Sequence, residues 1–410
     1  MTFLVLTSRR LESRQSGYDI RVANLCAHLP GEAYLVVAPM ESLGEPGPGL
    51  PGTDDLFAST EELPPLAGPT MSPRRHLRLS DDHVLALTYP GPFARAAARL
   101  QEIVLERGVT DVVVFGGDVA ELAATLDGPR VLLDVCDSTA LITQRALVWS
   151  SSPARGLRRW KDRLKLVRRR ATEARFARRF DRVVTISAAD SRAVEGGRAP
   201  GTVGVVPNGL DEAFVGPLPE PGPRRGVAFW GNLAFGPNRD ALWFFVHEVW
   251  LPTLRDAGVE LCVVGAGAPD WVTEIAAGEP LLTLAGWVDD LRPVATRYPI
   301  MVNPMRSGSG LKNKVLEAFG LGLVVVSTSL GVEALPDVAD GTQVVLADDA
   351  AGFAAAVLAV LDDEPRRRRL RAAAHALVGE RYRWDVIGRA WRSLFVGEPA
   401  GTPGAQRPSA

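Results

Sequence analysis

"IMVNPMRSGSGLKNKVLEAFGLGLVVVS", residues 300–327, reads as strand, glycine-rich turn, helix and second strand. Both flanking runs are continuously apolar, and Leu311, Val315, Leu316 and Phe319 recur at helical spacing between them. Apolar strands on either side of an amphipathic helix imply a parallel sheet covered on both faces. The turn therefore lies between a strand's C-terminal end and a helix's N-terminus, where free backbone N–H groups and the helix dipole favour an anion. Gly308 and Gly310 permit close approach of a ligand to the backbone. Arg306, Lys312 and Lys314 add positive charge, and a diphosphate is the natural guest. Glu317 stands too far along the helix to face phosphates, but it could accept hydrogen bonds from paired hydroxyls, as on a ribose. A plain tight turn followed by a helix with surface Glu and Lys remains the alternative.

The same alternation extends in both directions. Runs such as "FLVL", "DVVVFG", "RVLLDVC" and "RVVTIS" alternate with helical patterns before residue 215, and "GVAFWG", "ELCVVG" and "LLTLAG" do so after 226. Between them "VGPLPEPGPRRG" (215–226) holds four prolines, the strongest linker signal in the chain. Two α/β domains follow: 1–218, and 224–383, with the helical run 384–397 and a Pro/Gly-rich tail 398–410 expected to be disordered. The stretch 41–75 reads as a long surface loop.

Composition narrows the function classes. The chain has 410 residues, enough for two ordinary cores, and a net charge of −2 that gives no overall attraction to nucleic acid or membrane. Three separated cysteines (Cys26, Cys136, Cys262) and five histidines offer no CxxC pair and no zinc pattern, so no metal site is expected. The N-terminal apolar run is too short for a signal peptide, and no run reaches bilayer length. A cytoplasmic protein is expected, at most peripheral at the inner membrane face. "GAGAPD" (265–270) lacks the third glycine of a dinucleotide fingerprint and follows the second strand of its domain, so a nicotinamide or flavin site is not read there.

Two further stretches carry chemistry. "VLLDVCDSTAL" ends a strand in polar residues, where α/β sheets place ligands. Asp137 is the best candidate there for ligand contact or proton acceptance, with Ser138 beside it; a helix N-cap is an equally good reading. Gly17, with Ser16 and Asp19, would let a ligand approach the first loop closely, and Arg21 could assist; in the family resemblance described next, that ligand would be the acceptor or the donor's phosphate. Residues 155–182 carry 13 Lys/Arg against three acids, with Trp160, Leu164, Val167, Ala171 and Ala174 spaced as one helical stripe. In one reading the stripe packs inward and the arginines are solvated. In the other the basic face meets anionic lipid headgroups, near a lipid-linked acceptor. No nucleic-acid module accompanies the run.

The ordered motifs resemble those of retaining GT-B glycosyltransferases of the family 4 type (glycosyl transferases group 1). "NPMRSGSGLKNKVLEAFGLGLVVVSTSLGVEAL" is similar to the family's donor-binding signature. "SGYDIRVANLCAHL", "VPNGLDEAF", "VAFWGNLAFGPNRDALWFF", "LLTLAGWVDDL" and "ERYRWDVIGRAWRSLF" resemble landmarks that follow in the same order. The resemblance implies two Rossmann-like domains facing across a cleft, with the C-terminal helix crossing back to the N-terminal domain. It implies transfer from a nucleotide-diphosphate sugar with retention, metal-independent and without a cofactor. Gly310 and Leu311 would offer N–H groups to the diphosphate, with Gly308 and Ser309 in the same loop and Gly231, Asn232 and Asn238 in the first turn of the second domain. Arg306, Lys312 and Lys314 would stabilise the leaving group. Glu317 would hold the ribose hydroxyls. Trp287 and Val288 would lie along the base, with Asp290 capping the next helix.

Two positions depart from the family pattern. Ser309 occupies the place of the first acid of the Glu-x7-Glu pair, eight residues before Glu317. The basic pair expected after the first strand of the second domain is replaced by "GNLAFGPNRD", which leaves Asn232, Asn238 and Arg239. A glycosyltransferase acting in glycan, glycolipid or natural-product glycoside biosynthesis is expected. An epimerase-like enzyme on the same fold, or a non-catalytic nucleotide-sugar-binding protein, is the alternative.

Overall fold

The computed structural model describes residues 1–12, 16–43, 55–68, 84–149, 157–196, 201–220 and 222–396. The proposed tail 398–410 and parts of the 41–75 stretch lie outside these. The described chain divides into two compact units: unit 1 is Met1–Thr143, Trp160–Pro207 and 387–396, and unit 2 is Gln144–Arg159 and Asn208–Val386.

Unit 1 is built on seven parallel strands. They are β1 (Thr2–Thr7), β2 (Glu32–Val37), β3 (Ser59–Glu62), β4 (Asp111–Phe115), β5 (Arg130–Asp134), β6 (Arg182–Thr185) and β7 (Gly204–Val205), in the order β3-β2-β1-β4-β5-β6-β7. The interior strands bury both faces, as β1 and β4 show with Leu4 and Val112 on one side and Val5 and Val113 on the other, all fully enclosed. β3 corrects the reading of 41–75 as a loop: "STEE" pairs in register with β2. Its polar composition hid it, because an edge strand need not be apolar.

Unit 2 has six parallel strands: β8 (Gly226–Trp230), β9 (Glu260–Val264), β10 (Leu282–Gly286), β11 (Ile300–Asn303), β12 (Val324–Ser327) and β13 (Val344–Leu346), in the order β10-β9-β8-β11-β12-β13. Its core holds Phe229, Phe245, Trp250, Val302 and Phe353. The helix that begins at Gly236 widens to π geometry over Phe245–Leu254. Pro252 lies in that stretch and cannot donate to the ladder, and its ring opposes a regular α turn.

In both sheets the order reverses beside the first strand, between β1 and β4 in unit 1 and between β8 and β11 in unit 2. Ligands of open α/β sheets bind beyond the strand ends at such points.

The boundary between the units falls at 207/208, earlier than the Pro-rich stretch suggests. Residues 208–220 and Gly222 are strapped onto unit 2 instead of spanning freely. Asn208 donates to Asn313 at 2.8 Å, the Gly222 N–H bonds the Thr296 carbonyl at 2.6 Å, and Arg371 binds the Glu220 carboxylate at 2.8 Å. At the other end of the chain, the helix Trp384–Val396 counts with unit 1 from Ile387. There Trp391 is fully buried beside Phe115, and Phe395 meets Phe3 edge-on.

Candidate functional site

In unit 2 the loop after β11 leads into the helix Asn313–Gly320. Gly308 and Gly310 have φ of 96° and 69°, in the left-handed region where glycine alone is unstrained. Lys312 stands at the helix N-cap, yet no side chain caps the first turn and no acid lies in it. The first-turn N–H groups are thus without a side-chain acceptor, as an anion site requires.

Around this loop the lysines divide in role. Lys312 Nζ donates to the carbonyls of Ser309 and Gly310 at 2.8 and 2.9 Å, stapling the turn. Lys314 Nζ donates to Asn238 Oδ1 at 2.8 Å and sits 4.6 Å from the Phe229 ring centroid. Burial lowers the Lys314 ammonium to about 7; Glu317 opposes that shift and Lys312 adds to it. Asn238 in turn donates to the Asn232 carbonyl at 2.9 Å, so it orients Lys314 and the turn after β8 together. Gly231, at φ 144°, closes that arrangement: a Cβ there would lie 2.9 Å from Asn238 Nδ2.

Three expected residues are engaged differently from the sequence reading. Arg306 is paired with Asp240, at 3.1 and 3.3 Å, and stacks 4.3 Å from the Phe244 ring. Its charge is compensated by a buried carboxylate, which removes it as the main source of leaving-group charge. Glu317 accepts from the Trp230 indole N–H at 2.7 Å, leaving one oxygen for other partners. Burial raises its carboxyl above the ordinary range, against the Trp230 bond and Lys314. The Ser309 hydroxyl is buried and has no hydrogen-bond partner among the described residues. Trp230 was not singled out in the sequence; as the last residue of β8 it is placed where strand ends meet ligands.

Elsewhere in unit 2, Leu311 is buried as the loop enters the helix, and Trp287 follows β10 and is 53% exposed. Val288 comes next in the same turn. Asp290 accepts from the backbone N–H and side chain of Arg292, both at 2.9 Å, which lowers its carboxyl below the usual range.

Unit 1 holds a cavity of about 780 Å³ beyond the ends of β4 and β5. Asp137 lines it beside Cys136, whose φ of 58° is the one positive value at a non-glycine residue among the described residues. Backbone held in a sparsely populated region concentrates at functional sites. Glu173 also lines the cavity and accepts from Ser138 Oγ, Thr139 Oγ1 and the Ala140 N–H; burial raises its carboxyl.

The first loop is a correction. Ser16 caps the helix Gly17–Cys26 by accepting from the Asp19 N–H at 3.3 Å, and Asp19 is bound by Arg9 at 2.8 Å. Arg21 is enclosed with Asp134, at 2.8 Å. Ser138 is fully buried between Glu173 and Asp190. Ser16, Asp19, Arg21 and Ser138 therefore shape unit 1 without lining its cavity; Ser8, Arg9 and Tyr18 line it in their place. A capping serine and a buried ion pair use the same residue types as a binding site.

No helix among the described residues is long and apolar enough to cross a membrane.

Residues 224–363 match the family described as Glycosyl transferases group 1. Among curated proteins, the phosphatidyl-myo-inositol mannosyltransferase of Mycolicibacterium smegmatis is 31% identical over 193 residues, 44% of this chain and 48% of that protein. A glycogen synthase of Mycobacterium tuberculosis is 28% identical over 258 residues, 56% of this chain and 58% of that one. The chain thus spans about half the length of the curated relatives it matches. Among solved structures, sucrose-phosphate synthase from Thermosynechococcus elongatus superposes with a TM-score of 0.66 at 16% identity, covering 97% of this chain and 100% of that chain. Anabaena HepE in complex with UDP-glucose gives 0.65 at 13%, with the same coverage. These likenesses establish a common fold. Residues 224–363 are thus similar to the group 1 glycosyl transferases, and the two parallel-sheet units carry the α/β, Rossmann-like GT-B fold.

Proposed function

We propose that this protein is a glycosyltransferase that moves a sugar from a nucleotide-diphosphate sugar to an acceptor hydroxyl, with retention of anomeric configuration. One observation carries the reading. The helix Asn313–Gly320 starts, without a side-chain cap, behind the left-handed Gly308–Gly310 turn, with Lys314 beside it at the switch point of the unit 2 sheet. The related proteins bear on the same point: HepE was solved with UDP-glucose, and the curated relatives are a mannosyltransferase and a glycogen synthase.

In this reading the diphosphate lies on the N–H groups of Gly310, Leu311 and the first helical turn. Lys314 becomes fully charged against it, and Lys312 keeps the turn in shape. The free oxygen of Glu317 accepts from the ribose hydroxyls, and Trp287 lies along the base. As the bond from the anomeric carbon to the phosphate oxygen breaks, the acceptor oxygen forms its bond on the same face, and the acceptor's proton passes to the departing phosphate. Ser309 offers no carboxylate to act as a nucleophile there. The protein's own cations and N–H groups carry the leaving-group charge, so the reaction is proposed to be metal-independent. Asp137 and the unit 1 cavity are assigned to the acceptor, which belongs to a glycan, a glycolipid or a small natural product, and the enzyme works in the cytoplasm.

A thermal-shift screen against UDP-, GDP- and dTDP-sugars tests donor binding, since the true donor stabilises the fold that binds it. Proton NMR of the product then reads the anomeric configuration. Inversion, or a trapped sugar–enzyme ester, would contradict the mechanism; donor turnover without acceptor would favour the epimerase alternative.

A further inference from the structure

Two residues that the sequence does not mark stand behind the β11 turn. Arg145, on the helix Thr139–Trp149, and Glu333, which closes the short helix Ser329–Val332, both belong to unit 2. Glu333 accepts from both terminal nitrogens of Arg145, from Nη1 and from Nη2 at 2.7 Å, and the two side chains are only 16% and 24% exposed. Arg145 Nη1 has a further partner, the Gly308 carbonyl at 2.7 Å, 163 residues along the chain.

That contact fixes more than a carbonyl. In a planar trans peptide the C=O and the following N–H point in opposite directions. A guanidinium on the Gly308 carbonyl therefore sets the direction of the Ser309 N–H. Lys312 holds the Ser309 and Gly310 carbonyls in the same way, at 2.8 and 2.9 Å, and so sets the two peptide planes that follow. At the start of the loop the Thr328 hydroxyl, from the cap of the helix that Glu333 closes, donates to the Met305 carbonyl. Four carbonyls between Met305 and Gly310 are thus tied to side chains, three of them to cations. Successive peptide planes held in a turn, with positive φ at Gly308 and Gly310 on either side of Ser309, are the frame of an anion-binding concavity. Gly308 is also the residue whose plane rotates most freely, because it has no Cβ. Arg145 supplies from outside the loop the restraint that Lys312 supplies from within it.

We propose that Arg145 is a positioning residue of the phosphate-binding turn. Through the Gly308 carbonyl it aims the Ser309 N–H at the diphosphate, and Glu333 holds Arg145 in place while cancelling its charge. Arg145 thus contributes geometry where Lys314 contributes charge. That the anion is the donor's diphosphate rests on the reading above; the clamp on the turn does not.

Nitrogen-15 relaxation of the full chain tests the clamp without a ligand. The order parameter of the Ser309 amide should be about 0.85 in the wild type and fall below about 0.6 in Arg145→Met. Titration calorimetry with UDP, GDP or dTDP, whichever binds the wild type most tightly, tests the consequence: Arg145→Met should weaken binding about tenfold. Two more variants separate positioning from simple bracing. Arg145→Met with Glu333→Leu replaces the ion pair by an apolar one, so the melting temperature should recover while nucleotide affinity should not. Arg145→Lys keeps a donor and should regain part of the affinity. An unchanged Ser309 order parameter in Arg145→Met would overturn the proposal, and so would wild-type affinity in the apolar-pair variant. If none of the three nucleotides bound the wild type while the order parameter fell as expected, the donor reading would fail and the clamp would stand.

Discussion

The turn after β11 and the cavity beyond β4 and β5 occupy equivalent ends of two similar sheets, yet they are made of different materials. The unit 2 site is backbone: a turn of left-handed glycines ahead of a helix without a side-chain cap, with one lysine set behind it. The unit 1 cavity is side chain, assembled from the first loop, the strand ends and the basic helix Leu157–Arg179. A backbone site suits a group shared by every nucleotide-sugar donor, whereas a side-chain cavity can be rebuilt for each acceptor. Variants that strike one material and spare the other will break or sharpen this contrast.

The largest effect is expected in unit 1. Arg21→Ala leaves Asp134 buried without its cation and should cost about 3–5 kcal/mol of stability, read by denaturant unfolding. Since Arg21 is structural in this account, any fully folded, stable Arg21→Ala protein that has lost only acceptor use would restore it to the binding site. Next is Lys314→Ala, which removes the cation behind the phosphate turn. Turnover should fall by about 10²–10³-fold while melting temperature holds or rises, because burial already disfavours the charged ammonium. Glu317→Gln comes third: donor affinity should weaken by about tenfold, with the bound step changed less. Intact affinity with lost turnover would make Glu317 a participant in the chemistry.

The smallest effect is on pH dependence. With its pKa near 7 in the free protein, Lys314 is only partly charged at neutral pH, and a bound diphosphate would hold it charged. Binding therefore takes up protons, and donor affinity should decline as pH rises above about 7, by at most tenfold per unit. Calorimetry in two buffers of different ionisation enthalpy reads the proton count. Glu317, the other titrating group facing Lys314, should shift the curve but not reverse it, and Lys314→Met should flatten it.

How far the sequence could be read follows the same division. The β11 turn and its helix are local: Gly308, Gly310 and Lys314 lie within seven residues, and a helix N-terminus at the turn follows from the strand–glycine–helix order alone. The parallel sheets were legible because their interior strands are continuously apolar. β3 was not, because its edge position tolerates "STEE". Arg306 and Glu317 have partners from the neighbouring strand-and-helix unit, Asp240 and Trp230, that no local spacing reveals. The basic helix left both of its readings open, since an apolar stripe at helical spacing does not say which side is covered: Trp160 and Val167 are exposed, whereas Ala174 stands against Gly196. Likewise Ser16, Asp19 and Arg21 have the composition of a binding loop, and only long-range pairing with Arg9 and Asp134 shows them to be scaffolding.

The central claim is that the β11 turn and the helix behind it are the seat of the donor diphosphate. Hydrogen exchange, followed by mass spectrometry with and without the nucleotide diphosphate that gives the strongest thermal shift, reads those N–H groups directly. Peptides covering Ser307–Val315 should become protected, with weaker protection around Gly231–Asn238 and none along the unit 1 cavity. Protection confined to the cavity, with the β11 turn exchanging as in the free protein, would contradict the account.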